Sequence, residues 1–392
     1  MTTLHYTIGG STMARTLACP SWVSLSKDIP KSPGSAFADD GTLKHSAMEL
    51  LYNDLDLTPE TLVGSLSYND IVLTEEMLDT AIYPAINAVE DLLETHYVKT
   101  LVTEPFVEFI KGVAGGSIDM LAKSGDGDTV LVIDYKFGHN TVRAKENPQM
   151  LFYALCAMAD PATSDKFFNN NGKLPKRLVL AIIQPNDDGP VADVWETDLS
   201  VLDDFGKKVN DAVIKVENIS NGVITPEYVT GTHCKYCPAA AVCPKKTGAA
   251  QKALRLKPTD VAILAEALPL IPEIESWISA VTKLAHEQLE AGVKIPGYKL
   301  VNKRASRVWS SEDDIAEVLK KMRRVKHEEV HNYKLKSPAQ MEKLFKEKGI
   351  DPALLSEYIS SVVSGTTIAP ESDKRPDAAP QAAIQALVDR LS

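Results

Sequence analysis

The spacing of apolar residues changes period several times along the first two-thirds of the chain. Thr12 to Pro20 reads as a short helix closing at the Cys19-Pro20 step, because proline disfavours helical geometry in the residue before it. A Gly/Ser/Asp-rich loop from Lys31 to Gly41 leads into a helix over Thr42 to Leu51. There Leu43, Ala47 and Leu50 keep apolar spacing and His45 lies on the first turns. A longer helix from about Thr74 to Tyr97 buries Met77, Ile82, Ala85, Val89 and Leu92. Strand signals follow over Leu101 to Ile110, Gly115 to Ala122 and Thr129 to Tyr135, with Ser124 to Asp128 as a hairpin turn between the last two. Pro148 starts an amphipathic helix through Met158, and Arg177 to Gln184 and Val191 to Glu196 supply further strands. Helix, mixed sheet, helix, strand is the order of an α/β core.

Beyond that core the pattern becomes mainly helical. Lys257 to Glu290 is almost entirely helical, Gly297 to Trp309 reads as a short strand or hairpin region, and Glu312 to Ile350 holds two or three charged helices. This predicts a core over residues 1–250, a mainly helical extension over 251–367 and a flexible tail over 368–392. Ile368 to Gln381, rich in Pro, Ala and Asp, is expected to be mobile, with Ala382 to Leu391 as a short terminal helix.

A hydrophobic fraction of 44% over 392 residues is enough for a buried core. No apolar run reaches the roughly 20 residues of a spanning helix. The N-terminus lacks the basic and apolar regions of a signal peptide, so a cytoplasmic location is expected, with no membrane partner. A net charge of −11 argues against indiscriminate coating of nucleic acid. Basic residues are nonetheless clumped at Lys173 to Arg177, Lys245 to Lys257, Lys299 to Arg307 and Lys320 to Lys326, and local patches of this kind bind phosphate backbones.

Five cysteines occur, and four stand beside proline or in a CxxC spacing: Cys19-Pro20, Cys234-Lys235-Tyr236-Cys237-Pro238 and Cys243-Pro244. In a reducing compartment such clustering favours metal ligation over disulfides. Four thiolates suit tetrahedral zinc or a cubane iron–sulfur cluster, and spacing alone does not choose. Cys19 is expected at an exposed helix end. Cys156, in a mostly apolar helical stretch, reads as an inert buried thiol, and His233 as a neighbour of the cysteines.

A second chemistry is written between the cysteines. Asp119 and Asp134 fall at the ends of hairpin-paired strands, so their carboxylates can meet at one sheet edge and hold Mg²⁺ or Mn²⁺. Lys136, two residues past Asp134 on a strand, points to the same face, where an ammonium can assist an attacking water and offset charge on a phosphate. His45 can add a nitrogen ligand. Gln149 and Tyr153, four apart, share one helix face near phosphate or the lysine. Glu104, on a strand before Asp119, can be a further acid near the site, but reads better as an exposed strand carboxylate.

The helix ending in Cys19-Pro20, Gly41 to His45, Gly116-Ser117-Ile118-Asp119, Ile133-Asp134-Tyr135-Lys136, Gln149 to Tyr153 and the CxxC with a further Cys follow one another in a known order. Over residues 9–245 the chain resembles the PD-(D/E)xK nucleases, specifically their RecB-like, AddB-like iron–sulfur branch, which includes the CRISPR-associated spacer-processing nucleases. The resemblance implies a restriction-endonuclease-like core and metal ligands His45, Asp119, Asp134 and the Tyr135 carbonyl. It also implies a catalytic Lys136, a Gln149/Tyr153 pair, and a [4Fe-4S] cluster on Cys19, Cys234, Cys237 and Cys243, with structural Zn²⁺ as the alternative. The C-terminal part looks like the extension of a related phage and prophage family. The function so implied is a Mg²⁺- or Mn²⁺-dependent DNA exonuclease acting on single- or double-stranded ends, in phage recombination or DNA processing within a bacterial host cytoplasm. A recombination or single-strand-binding protein is its possible partner. The competing reading is a silent nucleic-acid-binding scaffold.

Overall fold

The computed structural model describes residues 6–29, 36–54, 56–138, 140–185, 190–256, 260–322, 331–332, 334–335, 337–362, 366–370 and 373–376. The chain divides into two compact units, Met1–Ile278 and Ser279–Ser392. The division falls inside the helix Ile271–Glu290, downstream of the boundary expected at residue 250. Among the described residues no helix is long and apolar enough to cross a membrane.

The first unit opens with α1 (Gly10–Ala18) and α2 (Ala36–Asn53). α2 starts before the expected Thr42, so Ala36 to Gly41 are helix rather than loop. Asp39 stands in its first turn, where the helix dipole favours an acid, and Asp40 pairs with Lys44 at 2.7 Å one turn on. The long helix expected over Thr74 to Tyr97 is a turn Glu75–Met77, a π-helical stretch Leu78–Ile82 and α3 (Tyr83–Thr95). Pro84 cannot donate the i→i−4 bond, and the wider turn absorbs that loss.

Seven strands follow, interrupted by one long helix: β1 (Val98–Thr103), β2 (Phe106–Ile110), β3 (Ala114–Ser117), β4 (Met120–Ser124), β5 (Thr129–Tyr135), then α4 (Pro148–Ala159), β6 (Arg177–Ile183) and β7 (Ala192–Thr197). α5 (Val201–Ser220) comes next, and α6 (Pro244–Arg255) follows the cysteine-rich turns. Five strands form a mixed sheet in the order β1-β4-β5-β6-β7, antiparallel except for β5 against β6. β2 and β3 pair separately.

The expected strands Leu101 to Ile110 and Gly115 to Ala122 are therefore each broken in two. Pro105 has no N–H for the ladder, and pairing stops there. Thr103 faces Met120 on one side of the gap and Phe106 faces Ser117 on the other, which sets Glu104-Pro105 opposite Ile118-Asp119. The gap keeps only two bonds, Glu104 N–H to Asp119 O and Ile118 N–H to Pro105 O, both 3.1 Å.

Strand alternation sorts the core into two layers. Even positions of β5, Val130 and Val132, pack with Leu121, Leu178, Leu180 and Ile182 against α4, α5 and Met13 of α1. Odd positions, Leu131, Ile133 and Tyr135, pack with Met120, Ala122, Val179 and Ala181 against α2 and α3. All seven β5 residues are buried, as befits a central strand covered by helices on both faces.

The second unit has its own small core of Trp309, Ile315, Leu319, Met341, Phe345 and Leu355. Its elements include β8 (Tyr298–Asn302), β9 (Ser306–Trp309), α7 (Glu312–Lys320), α8 (Pro338–Glu347), β10 (Ile359–Val362) and β11 (Thr366–Pro370). β8 and β9 do not form the hairpin allowed for Gly297 to Trp309. β8 pairs with β11 and β9 with β10. Ile368 to Pro370, expected in the mobile tail, are the end of β11 and face Tyr298 to Leu300. The β-branched run Thr366-Thr367-Ile368 suits a ladder, and Arg375 adds a bond from its guanidinium to Asn302 O at 3.2 Å. The helix expected over Ala382 to Leu391 lies outside the described residues.

Candidate active site and cysteine cavity

Asp134 sits at an even position of β5 and so faces the α4 layer. It is 2% exposed. Asn147 caps α4 by accepting from the N–H groups of Gln149 and Met150, which starts the helix beside the strand end and delivers Gln149 to the acid. Gln149 Nε2 donates to Asp134 Oδ1 at 2.9 Å and lies 3.2 Å from the Tyr153 hydroxyl. Lys136 Nζ is 2.5 Å from Asp134 Oδ2, an ion pair that leaves this buried oxygen without a well-directed hydrogen bond.

Asp119 occupies the gap between β3 and β4 and draws on both layers. Its Oδ2 accepts from Tyr135 N–H at 2.5 Å and lies 3.4 Å from His45 Nδ1 on α2. The His45 ring in turn meets Tyr135 and Phe137 edge-on, with centroids 5.9 and 5.4 Å away.

Glu104 corrects its expected place. It is not an exposed strand residue but a half-buried bend residue with φ +48°, a left-handed conformation that costs about 1 kcal/mol for a residue with a Cβ. The bend turns it into the site: His45, Glu104 and Asp119 have ligand atoms all within 4.8 Å of one another, so the three can chelate a divalent metal. The Glu104-Pro105 step inside a strand pattern was the available signal. Gln184, buried at the end of β6, was missed. It accepts from Val142 N–H at 2.9 Å and donates to Gly138 O and Asn140 O, pinning the loop that follows Lys136.

The acids share a field. Burial pushes Asp134 up to about 6 against the pull of Lys136, with Asp119 adding to the rise. Burial acts upward on Asp119 too, but His45 outweighs it and the carboxyl ends below its ordinary range. His45 moves the other way: burial lowers it, and Asp119 more than restores it, so the imidazolium is favoured. Burial, then Asp119, lifts Glu104 to about 7. Without a metal this is a cluster of acids held partly protonated by crowding, which a divalent cation would relieve. Two hard carboxylates and one imidazole within reach of one another, with an undersatisfied Asp134 oxygen beside them, fit Mn²⁺ or Mg²⁺.

Tyr153 lies along the opposite wall, buried, with its hydroxyl pushed up by burial. A Cβ on Gly10 would stand 2.5 Å from its ring, so only glycine lets α1 start this close.

The cysteines gather elsewhere in the unit. Cys19 is the C-cap of α1, Cys234 closes the turn Thr232–Cys234, Cys237 caps the turn Pro238–Ala241 and Cys243 caps α6. All four line one cavity with Arg15, Trp22, His233 and Lys246. Cys19, expected at an exposed end, is buried, because the chain around Glu227 to Val229 returns onto it and Ser21 Oγ donates to Glu227 O at 2.6 Å. Burial raises the thiols of Cys19 and Cys237. His233 engages Val229 O through Nε2 at 2.9 Å. Cys156 is fully buried in α4, away from that set.

A family model described as "Protein of unknown function (DUF2800)" matches residues 5–376. Among solved structures, the chain is similar to the alkaline exonuclease LHK-Exo from Laribacter hongkongensis at 13% identity and TM-score 0.23, over 54% of this chain and 95% of that one. It is also similar to a candidate exonuclease from Eubacterium rectale at 12% identity and TM-score 0.33, over 57% and 84% of the two chains. SSO0001 matches at 13% identity and TM-score 0.22, over 57% and 94%. These superpositions are too loose to carry chemistry, which rests on the residues themselves.

Proposed function

The chain belongs to the DUF2800 family, and from its site we propose that it is a Mg²⁺- or Mn²⁺-dependent DNA exonuclease of the PD-(D/E)xK type. One observation carries the reading. Asp134 is bracketed by Lys136 and Gln149 while Asp119 and His45 are joined beside it, the acid-and-lysine arrangement that phosphodiester hydrolysis needs. The metal would be held by His45, Glu104 and Asp119, with Asp134 and the Tyr135 carbonyl as further oxygen donors.

A bound divalent ion supplies charge neutralisation at the phosphate and a more acidic water. The side chains supply orientation. Gln149 fixes one oxygen of Asp134 and Lys136 the other, so the carboxylate cannot turn away. Lys136 keeps its ammonium at the sheet edge, where it can donate to a non-bridging phosphate oxygen and offset the charge that grows there. In the reaction the water oxygen bonds phosphorus, the bond to the leaving nucleotide oxygen breaks, and one proton passes from the water to the leaving group's side. His45 orients Asp119 through Nδ1.

For the cysteines we propose the [4Fe-4S] cluster over zinc. Tetrahedral zinc with bonds of about 2.3 Å draws its sulfurs to about 3.8 Å from one another. Zinc ribbons take their ligands as two local pairs, whereas here Cys19 is remote and Cys234, Cys237 and Cys243 are local. A cluster binds each thiolate to a different iron and can take one remote ligand with three local ones. Recombination or DNA processing, with a single-strand-binding or annealing protein as partner, is the setting this activity would serve.

The test is cleavage of end-labelled single- and double-stranded DNA with and without Mn²⁺. We expect metal-dependent loss of terminal nucleotides, and none from Asp134→Ala or Lys136→Ala at unchanged circular dichroism. Wild-type-like degradation by either variant, or DNA binding without cleavage by the parent, rejects the assignment.

A further inference from the structure

The walls of the cysteine cavity hold two cations and no carboxylate. Arg15 lays its guanidinium over the Trp22 ring, 4.6 Å from the centroid, and its buried Nε has no hydrogen-bond partner. Lys246 is 2% exposed. It reaches Ser276 Oγ at 2.9 Å and Glu273 Oε2 only at 3.4 Å. A cation drawn out of water without a counter-charge is destabilised, and neutral thiols would leave the half-buried Arg15 in that condition. Four thiolates on a zinc ion or on an oxidised four-iron cluster carry about two net negative charges, which would answer both cations at once.

We propose that Arg15 and Lys246 are the counter-charges of the metal centre held by Cys19, Cys234, Cys237 and Cys243. This rests on the cysteine reading under the proposed function and assigns two residues that ligate nothing. As positioning residues they would hold the thiolates ionised and, for a cluster, favour its reduced and more negative form.

The experiment uses the full chain purified anaerobically, with Arg15→Gln, Lys246→Met and the charge-keeping Arg15→Lys. Iron, sulfide and zinc per chain are measured first, then the rate of metal release to a chelator, then the midpoint potential by redox titration. Arg15→Gln and Lys246→Met should release metal on the order of tenfold faster. The potential should fall, with a tenfold change in the reduced-to-oxidised ratio equal to about 59 mV for one electron. Arg15→Lys should restore most of both, which a merely misfolded variant would not allow. If zinc is found, the release rate alone decides. Metal bound in the parent but equal release and potential in both neutral variants overturns this proposal and leaves the cysteine reading standing. A parent with neither metal overturns both.

Discussion

The carboxylate site and the cysteine cavity lie in one unit and solve opposite problems. In the first, the two aspartates are already engaged by neighbours, Asp134 by Gln149 and Lys136 and Asp119 by His45 and Tyr135 N–H, and Lys136 stays 27% exposed. Such a site is held in shape by its own side chains and would be open to exchange of an ion. In the second, soft donors from distant parts of the chain meet in a cavity where the Arg15 Nε has no hydrogen-bond partner. If the cysteines hold the proposed metal centre, such a site would be incomplete until filled. The contrast explains why an acid variant should lose chemistry and a thiol variant should lose structure.

The sharpest way to break the contrast is to exchange the two outcomes. Cys234→Ser should remove bound metal from the cavity and cost about 3 kcal/mol or more of stability, because ligand binding and folding are coupled there. Asp119→Asn should leave cavity metal unchanged and lower the thermal midpoint far less than Cys234→Ser does, while abolishing cleavage. Metal analysis and calorimetry on both variants check this, and a stable, active Cys234→Ser protein would remove the structural role.

Glu104→Gln comes next. It keeps the shape of the bend but removes one charge from the cluster with His45 and Asp119, so Mn²⁺ affinity should weaken on the order of tenfold. Isothermal titration measures it directly. Unaltered affinity would return Glu104 to the role of a strained surface acid.

The acids also predict a pH dependence. Asp134 at about 6 and Glu104 at about 7 are raised above their ordinary values, so their contribution to metal-free stability is present at low pH and is lost as pH rises through about 4 to 7. Asp119, lowered, acts in the opposite sense and loses its contribution only at acid pH. Since Mn²⁺ needs the deprotonated carboxylates, the rise in thermal midpoint that it causes should grow from pH 5.5 to 7.5. Melting curves with and without the ion at three pH values suffice, and a pH-independent rise would contradict the site.

Least direct is the effect of Gly10→Ala, whose Cβ would force Tyr153 or α1 aside at a cost of about 1–3 kcal/mol. Cleavage should slow more than metal binding weakens, because Tyr153 touches Gln149 rather than the proposed ligands.

Much of this was legible before any coordinates. Alternation placed Asp134 and Lys136 on one face, helical spacing placed Gln149 over Tyr153, and Pro148 marked the start of α4. These are consequences of fixed periods of the backbone, which a few neighbouring residues determine. What tertiary structure alone decided involves groups remote in sequence. Glu104 enters the site because two strands break opposite each other, Cys19 is buried by a segment that returns from Glu227 to Val229, and β8 and β9 ignore each other for β11 and β10. Arg15 and Lys246 belong to the same class, each an ordinary helix cation until the fold closes over it. Local sterics set which way a side chain points, but burial and partners depend on which distant surfaces lower their free energy by meeting, and no local period records that choice.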